Sequence, residues 1–244
     1  MNEEASEMAV LSKAAYDVYY GDIKTANDEL RAYGLPYTID EEHSDSNSVT
    51  IVKPDGSAVI AYRGTDFTNP SDLLADFQIL MGVHSNPLMQ PLHAMNRFED
   101  ANIKYNKVKQ KYGVPKLTGH SLGGAQALHV ARRNNVDSIV FNPGSSPFAE
   151  PFNWLLTSDK PQTIYTTGDD PISYSSYMFD RNDNLIVVPR KDKENFYSHS
   201  LVNFLPPRRQ AIEPPIWMNP VELETRQTVP FCEIYPELCG RKRA

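Results

Sequence analysis

The sequence predicts an α/β fold in which a mostly parallel central sheet is flanked by helices. From residue 114 onward, strand-like runs alternate with helix-like runs, a pattern typical of parallel strands joined by right-handed crossovers. Earlier in the chain, Pro54-Asp55-Gly56 separates two strand-like runs and predicts an antiparallel hairpin, because proline presets φ and glycine supplies a positive φ. A Gly-x-Ser-x-Gly motif lies where one predicted strand meets a predicted helix.

Length and composition are those of one domain with a substantial core. The chain has 244 residues, of which 40% are hydrophobic, and α/β folds of this size often form a single unit. The net charge of −7 argues against a nucleic-acid-binding protein, which would carry a basic footprint. The acidic N-terminus lacks the apolar region of a signal peptide, and no apolar run is long enough for a membrane span. These features favour a cytoplasmic location but leave the compartment open.

The sequence contains no recognisable metal or cofactor motif. No His/Cys cluster has zinc spacing and no glycine-rich loop matches a phosphate-binding motif, so neither a metal nor a cofactor is expected. The two cysteines of the chain, Cys232 and Cys239, lie near its C-terminus. We interpret them as two free thiols, or as a local disulfide if the protein leaves the cell.

Two helices precede the hairpin in the predicted order of elements. Apolar residues at three- and four-residue steps predict an amphipathic helix over residues 5–19. A second helix is expected over Thr25–Ala32, with Thr25 as its N-cap. The two hairpin strands are expected at Val49–Val52 and Ala58–Tyr62.

The segment after the hairpin contains two predicted helices and an irregular stretch between them. One helix is expected over Ser71–Leu80 with Ser71 as its cap, and a longer one over Ala94–Lys111. Two prolines interrupt residues 81–93, which also carry several apolar side chains. This stretch is either a buried connection or a mobile flap that presents apolar side chains to an acyl chain or a lipid surface.

The remaining elements are four predicted strands, one helix and a tail. The helix is expected at Ala125–Arg133. The strands are expected at Val114–Leu117, Ser138–Phe141, Gln162–Thr166 and Leu185–Val188. The composition then becomes proline-rich, which argues against regular structure. The sequence therefore predicts a domain over residues 1–205 and a tail over 206–244. The tail is either an extended arm packed on the domain or a partner-binding segment.

The six residues Gly119-His120-Ser121-Leu122-Gly123-Gly124 have the form of a nucleophile elbow. In such a turn the serine is pushed towards positive φ, and flanking glycines are needed because a Cβ would collide with a neighbouring strand or helix. The turn lifts the Ser121 hydroxyl above the sheet and places it at a helix N-terminus. Amide groups and the helix dipole favour developing negative charge at that position.

A serine hydroxyl needs a base to take its proton and a third group to orient that base. In hydrolases with this elbow, the chain order is serine, then acid, then histidine. His199 is the histidine that follows Ser121 at a suitable distance and lies outside the elbow helix. His120 is not expected to be the base, since the side chains of adjacent residues diverge. His129 lies two helical turns along and is interpreted as a packing or surface residue.

The acid is expected at a strand end between Ser121 and His199. Asp169 and Asp170 both follow the strand Gln162–Thr166, and we favour Asp170 over Asp169. The other aspartates in this part of the chain fall in polar loops and are interpreted as solvated charges: Asp180, Asp183 and Asp192.

A backbone donor for negative charge is expected in Arg63-Gly64-Thr65-Asp66, directly after the second hairpin strand. A tight turn there offers an N–H group that would complete an oxyanion hole with the N–H of Leu122. By itself an Arg-Gly-Thr tripeptide is most often only a turn. The elbow further along the chain is what favours a role for this turn in an oxyanion hole.

Four stretches of this sequence resemble the class 3 (fungal-type) lipases: 61–65, 72–76, 116–125 and 198–201. The resemblance covers roughly residues 5 to 205 and implies an α/β-hydrolase fold acting on carboxylic esters of lipids. It implies that Ser121 is the nucleophile, Asp170 the acid and His199 the base. It also implies that Thr65 and Leu122 supply the oxyanion-hole amides. Members of this family usually carry a histidine, a small residue, a glycine and an aromatic residue soon after the segment that covers the active site. This pattern is not matched here, and the proline-rich tail has no counterpart in the family.

The sequence thus predicts a serine ester hydrolase that works through an acyl-enzyme. Its substrate is expected to be a triacylglycerol, a phospholipid or a smaller carboxylic ester, with transient contact to a membrane or lipid surface. One alternative is a hydrolase-fold module that serves mainly in binding or assembly, with the tail docking on a protein partner. A peptidase ranks last, because the chain lacks an added domain that would select peptides.

Overall fold

A computed structural model describes residues 1–64, 90–144, 160–168, 170, 183–191 and 197–209 of the chain. For residues 90–96 and 197, the backbone alone is described. The helices are α1 (Glu3–Tyr20), α2 (Ile23–Ala32), α3 (Gln90–Tyr112) and α4 (Leu122–Asn134). The strands are β1 (Thr38–Asp40), β2 (Ser48–Val52), β3 (Ala58–Tyr62), β4 (Lys116–His120), β5 (Ser138–Phe141), β6 (Thr163–Thr167) and β7 (Asn184–Val188). Two short 3₁₀ turns follow, Tyr197–His199 and Leu201–Phe204.

The seven strands form one sheet in the spatial order β1-β2-β3-β4-β5-β6-β7. The first three are antiparallel, with Thr50 opposite Ile60 in the hairpin. From β3 to β7 every neighbouring pair is parallel. The predicted α/β class, the mostly parallel sheet and the N-terminal hairpin are therefore confirmed. Because parallel strands end at a common edge, the residues that follow β3, β4, β5 and β6 are brought together there.

Each face of the sheet is covered by helices. Alternate residues of a strand point to opposite faces, and β3 shows this directly. Val59 and Ala61 pack in a core cluster with α1 and α2, whereas Ala58, Ile60 and Tyr62 pack with α3 and α4. Both sets are buried, so the strand is apolar without alternation, as expected for a strand covered on both sides.

The structure moves several boundaries. The N-cap of α2 is Asp22 rather than Thr25: Asp22 Oδ1 accepts a hydrogen bond from Thr25 N at 2.6 Å. That bond also holds the pKa of the Asp22 carboxyl below its ordinary value. The three-residue strand β1 was not expected, and β4 runs on to His120 because Thr118 and Gly119 pair with β3 and β5. The long helix α3 starts at Gln90, within the stretch 81–93.

A buried charge cluster joins α1, α2 and the segment after the second 3₁₀ turn. Lys13 is inaccessible to solvent and donates to both carboxylate oxygens of Asp17 at 2.7 Å and to Glu29 Oε2 at 2.8 Å. Arg208 Nη2 donates to the same Glu29 oxygen at 2.7 Å, and Arg209 N donates to Ala32 O at 2.8 Å. Buried charges that are paired in this way avoid the large cost of an uncompensated ion. The chain thus remains packed on α2 as far as Arg209.

Several predicted features lie outside the described residues. They are the helix Ser71–Leu80, residues 81–89 of the irregular stretch, and the tail from 210 to 244 with Cys232 and Cys239. In the described part of the chain, no helix combines the length and apolarity needed to cross a bilayer.

Candidate active site

Ser121 occupies the turn between β4 and α4 in a strained backbone conformation. Its φ of 58° and ψ of −129° lie in a region that non-glycine residues rarely adopt. The turn is held in place because Ser121 N donates to Phe141 O at 3.1 Å, and Gly144 N donates to Ser121 O at 3.0 Å. Ser121 is the N-cap residue of α4, yet within the described structure its hydroxyl makes no capping hydrogen bond. Ser121 therefore does not cap the helix with its side chain, which is the usual role of a serine at this position.

The glycine pattern of the elbow follows from close contacts between backbones. A Cβ built on Gly123 would lie 2.0 Å from Tyr62 O, on the neighbouring strand. A Cβ built on Gly119 would lie 2.4 Å from Gly123 O. Neither contact can be relieved by moving a flexible side chain, because both partners are main-chain atoms. Helix α4 can start directly over β3 and β4 because these two positions carry no side chain.

The structure brings Asp170 and His199 together in a buried pair. Asp170 follows β6, and His199 ends the first 3₁₀ turn. His199 Nδ1 donates to Asp170 Oδ2 at 2.7 Å, and the two residues are 4% and 2% exposed. The carboxylate can only accept, so Nδ1 carries a hydrogen and Nε2 is the basic nitrogen of the neutral ring. A general base and an acid that orients it would need a hydrogen bond of this kind.

His120 links the elbow to this pair. The ring is 1% exposed; its Nδ1 lies 2.9 Å from the Tyr16 hydroxyl, and its Nε2 lies 2.6 Å from the backbone oxygen of His199. The ring centroids of His120 and His199 are 5.0 Å apart. His199 therefore sits beside the residue that precedes Ser121. Both ring nitrogens of His120 are engaged in these two contacts.

Burial lowers the pKa of His120 to about 3, and the nearby His199 ring adds to this lowering when it is protonated. An unfolded chain takes up a proton at this histidine as the pH falls below its ordinary pKa of 6.5, whereas the folded chain does not. We therefore expect His120 to make the protein less stable as the pH falls from 6.5 towards 3, by up to about 1.4 kcal/mol per pH unit.

The measurement is urea unfolding across that pH range for the wild type and His120→Gln. Glutamine does not titrate in this range, so the free energy of unfolding of the variant should fall less steeply with decreasing pH than that of the wild type. Equal slopes in the two proteins would contradict the assignment of a neutral buried ring.

Two further residues hold the turn that carries His199. Asn142 Nδ2 and Thr167 Oγ1 donate to the Ser198 carbonyl at 2.8 Å and 2.5 Å. Asn142 also accepts from Thr167 N at 3.0 Å through its Oδ1. Both side chains are fully buried at the carboxyl ends of their strands. No local sequence pattern marks Tyr16, Asn142 or Thr167 as part of a site. Tyr16 lies within a helix predicted to pack on the core, and Asn142-Pro143-Gly144 has the composition of an ordinary turn.

Of the two residues proposed to form an oxyanion hole, Leu122 lies within the described part of the chain. Leu122 is the first residue of α4, and the first N–H groups of a helix have no intrahelical acceptor. Thr65 lies outside the described residues. The residue before it, Gly64, packs on the elbow: a Cβ built there would lie 2.9 Å from Ser121 Cβ. Arg63 Nη1 donates to Gly64 O at 2.8 Å and so helps to hold this backbone in place.

The other candidate side chains have structural contacts. Asp183 is not a solvated charge: its side chain is 9% exposed, pairs with Arg132 and accepts from Gln162 N at 2.9 Å. His129 packs on Phe98 with ring centroids 5.2 Å apart. The side chains of Asp40, Glu42 and His43 lie close enough together to bind a metal ion. However, the Lys111 ammonium already contacts both carboxylates of this group. Asp169, Asp180 and Asp192 lie outside the described residues.

A scan against protein-family models and a search of curated proteins each find no match to this chain.

Proposed function

We propose that this chain is a serine carboxylic-ester hydrolase with an α/β-hydrolase fold, acting on lipid esters through an acyl-enzyme. The observation that carries the proposal is the buried Asp170–His199 pair at the sheet edge where Ser121 occupies a strained turn. A strained serine between a strand and a helix is the expected form of an activated nucleophile. The sequence resemblance to class 3 lipases supports the same assignment.

The proposed reaction begins with proton transfer from the Ser121 hydroxyl to His199 Nε2. The serine oxygen attacks the ester carbonyl, and the resulting oxyanion accepts hydrogen bonds from the amides of Leu122 and Thr65. The Asp170 carboxylate stabilises the His199 imidazolium that forms. His199 then donates its proton to the departing alcohol, leaving an acyl group on Ser121. Water, deprotonated by His199, releases the acid in the second half of the cycle.

Lipid esters are the proposed substrate class because of the resemblance and the apolar residues within 81–93. A triacylglycerol, a phospholipid and a short soluble ester differ in the surface they present to the enzyme. Measuring the rate of hydrolysis of each compound, with and without a lipid interface, shows which of the three substrate classes the enzyme prefers. Activity that rises when the substrate forms an interface would support transient contact with a lipid surface.

The experiment that tests the proposal is labelling with a fluorophosphonate, which reacts with activated serines. We expect one adduct, mapped by mass spectrometry of peptides to Ser121, and no adduct on a denatured chain. Pretreatment with the probe should abolish hydrolysis of a short-chain p-nitrophenyl ester. An unlabelled Ser121 in the folded protein, together with a complex that depends on the tail, would support the binding or assembly function instead.

A further inference from the structure

The hydrogen-bond directions around His120 are fixed by the chemistry of its two partners. The backbone oxygen of His199 can only accept, so the hydrogen in this 2.6 Å contact belongs to Nε2 of His120. The neutral ring then has a lone pair on Nδ1, and the Tyr16 hydroxyl donates to it at 2.9 Å. Tyr16, His120 and the His199 carbonyl therefore form a directed chain of hydrogen bonds that runs from the tyrosine hydroxyl to the carbonyl.

Two successive carbonyls of the base-bearing turn are held by the ends of three successive strands. His120, the last residue of β4, donates to the carbonyl of His199. Asn142, directly after β5, and Thr167, the last residue of β6, donate to the carbonyl of Ser198. A three-residue 3₁₀ turn has few internal hydrogen bonds of its own. These side chains supply the missing support at a buried site, where each bond gains from the low local dielectric.

We propose that His120 is a positioning residue, which holds the main chain of His199 and so sets the base relative to Ser121. The nucleophile and the support of its base are then consecutive residues of one strand end. Any movement of the elbow carries the His199 carbonyl with it, which keeps the two reacting groups in register. The inference rests on the function proposed above and adds a residue outside the serine, acid and base.

The test compares His120→Leu with His120→Gln. Leucine removes the donor to the His199 carbonyl, whereas the glutamine amide nitrogen reaches about the position of Nε2 and can still donate. We expect His120→Leu to lower kcat by about 10- to 100-fold with little change in KM, because a displacement near 1 Å costs on the order of 100-fold in rate. His120→Gln should recover most of the lost kcat.

Thr118→Val is the matched control. Thr118 lies two residues earlier in β4 on the same face and is equally buried, but its hydroxyl contacts Ser12 Oγ and Ile139 O. It should lose stability while keeping kcat. The positioning role would be overturned if His120→Leu kept the wild-type kcat, or if the leucine and glutamine variants lost kcat equally.

A second measurement does not depend on activity. The ¹⁵N ring shifts of the labelled wild-type protein should show His120 with a protonated Nε2 and an unprotonated Nδ1. The opposite tautomer would overturn the proposed hydrogen bond even in an active enzyme. A wild type that neither hydrolyses esters nor reacts with the fluorophosphonate would instead overturn the proposed function, whatever the tautomer of His120.

Discussion

Ser121→Ala is expected to lower kcat for ester hydrolysis on the order of 10⁶-fold, as loss of the nucleophile does in other serine hydrolases. The residual rate should still exceed that in water, because the oxyanion-hole amides and substrate binding remain. The substitution should have little effect on the free energy of unfolding, since the hydroxyl makes no capping hydrogen bond within the described structure. Steady-state kinetics with a p-nitrophenyl ester, together with urea unfolding, measure both effects.

Ser138→Ala is a suitable control for this result. Ser138 is also a buried serine on the central sheet, but it lies at the start of β5 and its hydroxyl donates to Gln162 Oε1 at 2.8 Å. It should lose stability without a change in kcat. Substantial hydrolysis by a folded Ser121→Ala protein would remove Ser121 from the mechanism.

Asp170→Asn is expected to lower kcat by about 10⁴-fold at neutral pH. The asparagine amide would donate to His199 Nδ1, which places the ring hydrogen on Nε2 and leaves no lone pair there to accept the serine proton. The present geometry, with Nδ1 donating to Asp170 Oδ2 at 2.7 Å, holds the productive tautomer. The measurement is kcat as a function of pH, with circular dichroism to verify the fold.

Two variants serve as controls for the acid. Asp183→Asn alters another largely buried carboxylate of the same sheet, which pairs with Arg132 and lies away from His199. It should lower stability but leave kcat unchanged. Asp169→Asn changes the neighbouring aspartate and should have a small effect on kcat. A large loss at Asp169 with little loss at Asp170 would reverse the assignment of the acid.

Asp169 and Asp170 are adjacent, and a local sequence pattern does not determine which of them meets His199. Both follow the same predicted strand, and the sequence favours Asp170 without excluding Asp169. In the structure the carboxylate of Asp170 lies against His199, and this contact spans 29 residues of sequence. It depends on the position of β6 in the sheet and on where the 3₁₀ turn that ends at His199 packs, neither of which is encoded in the residues around position 170.

The sequence by itself determined the α/β class, the hairpin, the elbow and the serine–acid–histidine order of candidates. These are local features, set by strand and helix periodicity and by glycines that allow a tight turn. Only the tertiary structure gives the contact of Asp170 with His199, the pairing of Asp183 with Arg132, and the contacts of Tyr16, His120, Asn142 and Thr167. Such contacts arise because parallel strands end at a common edge, where residues far apart in sequence become neighbours.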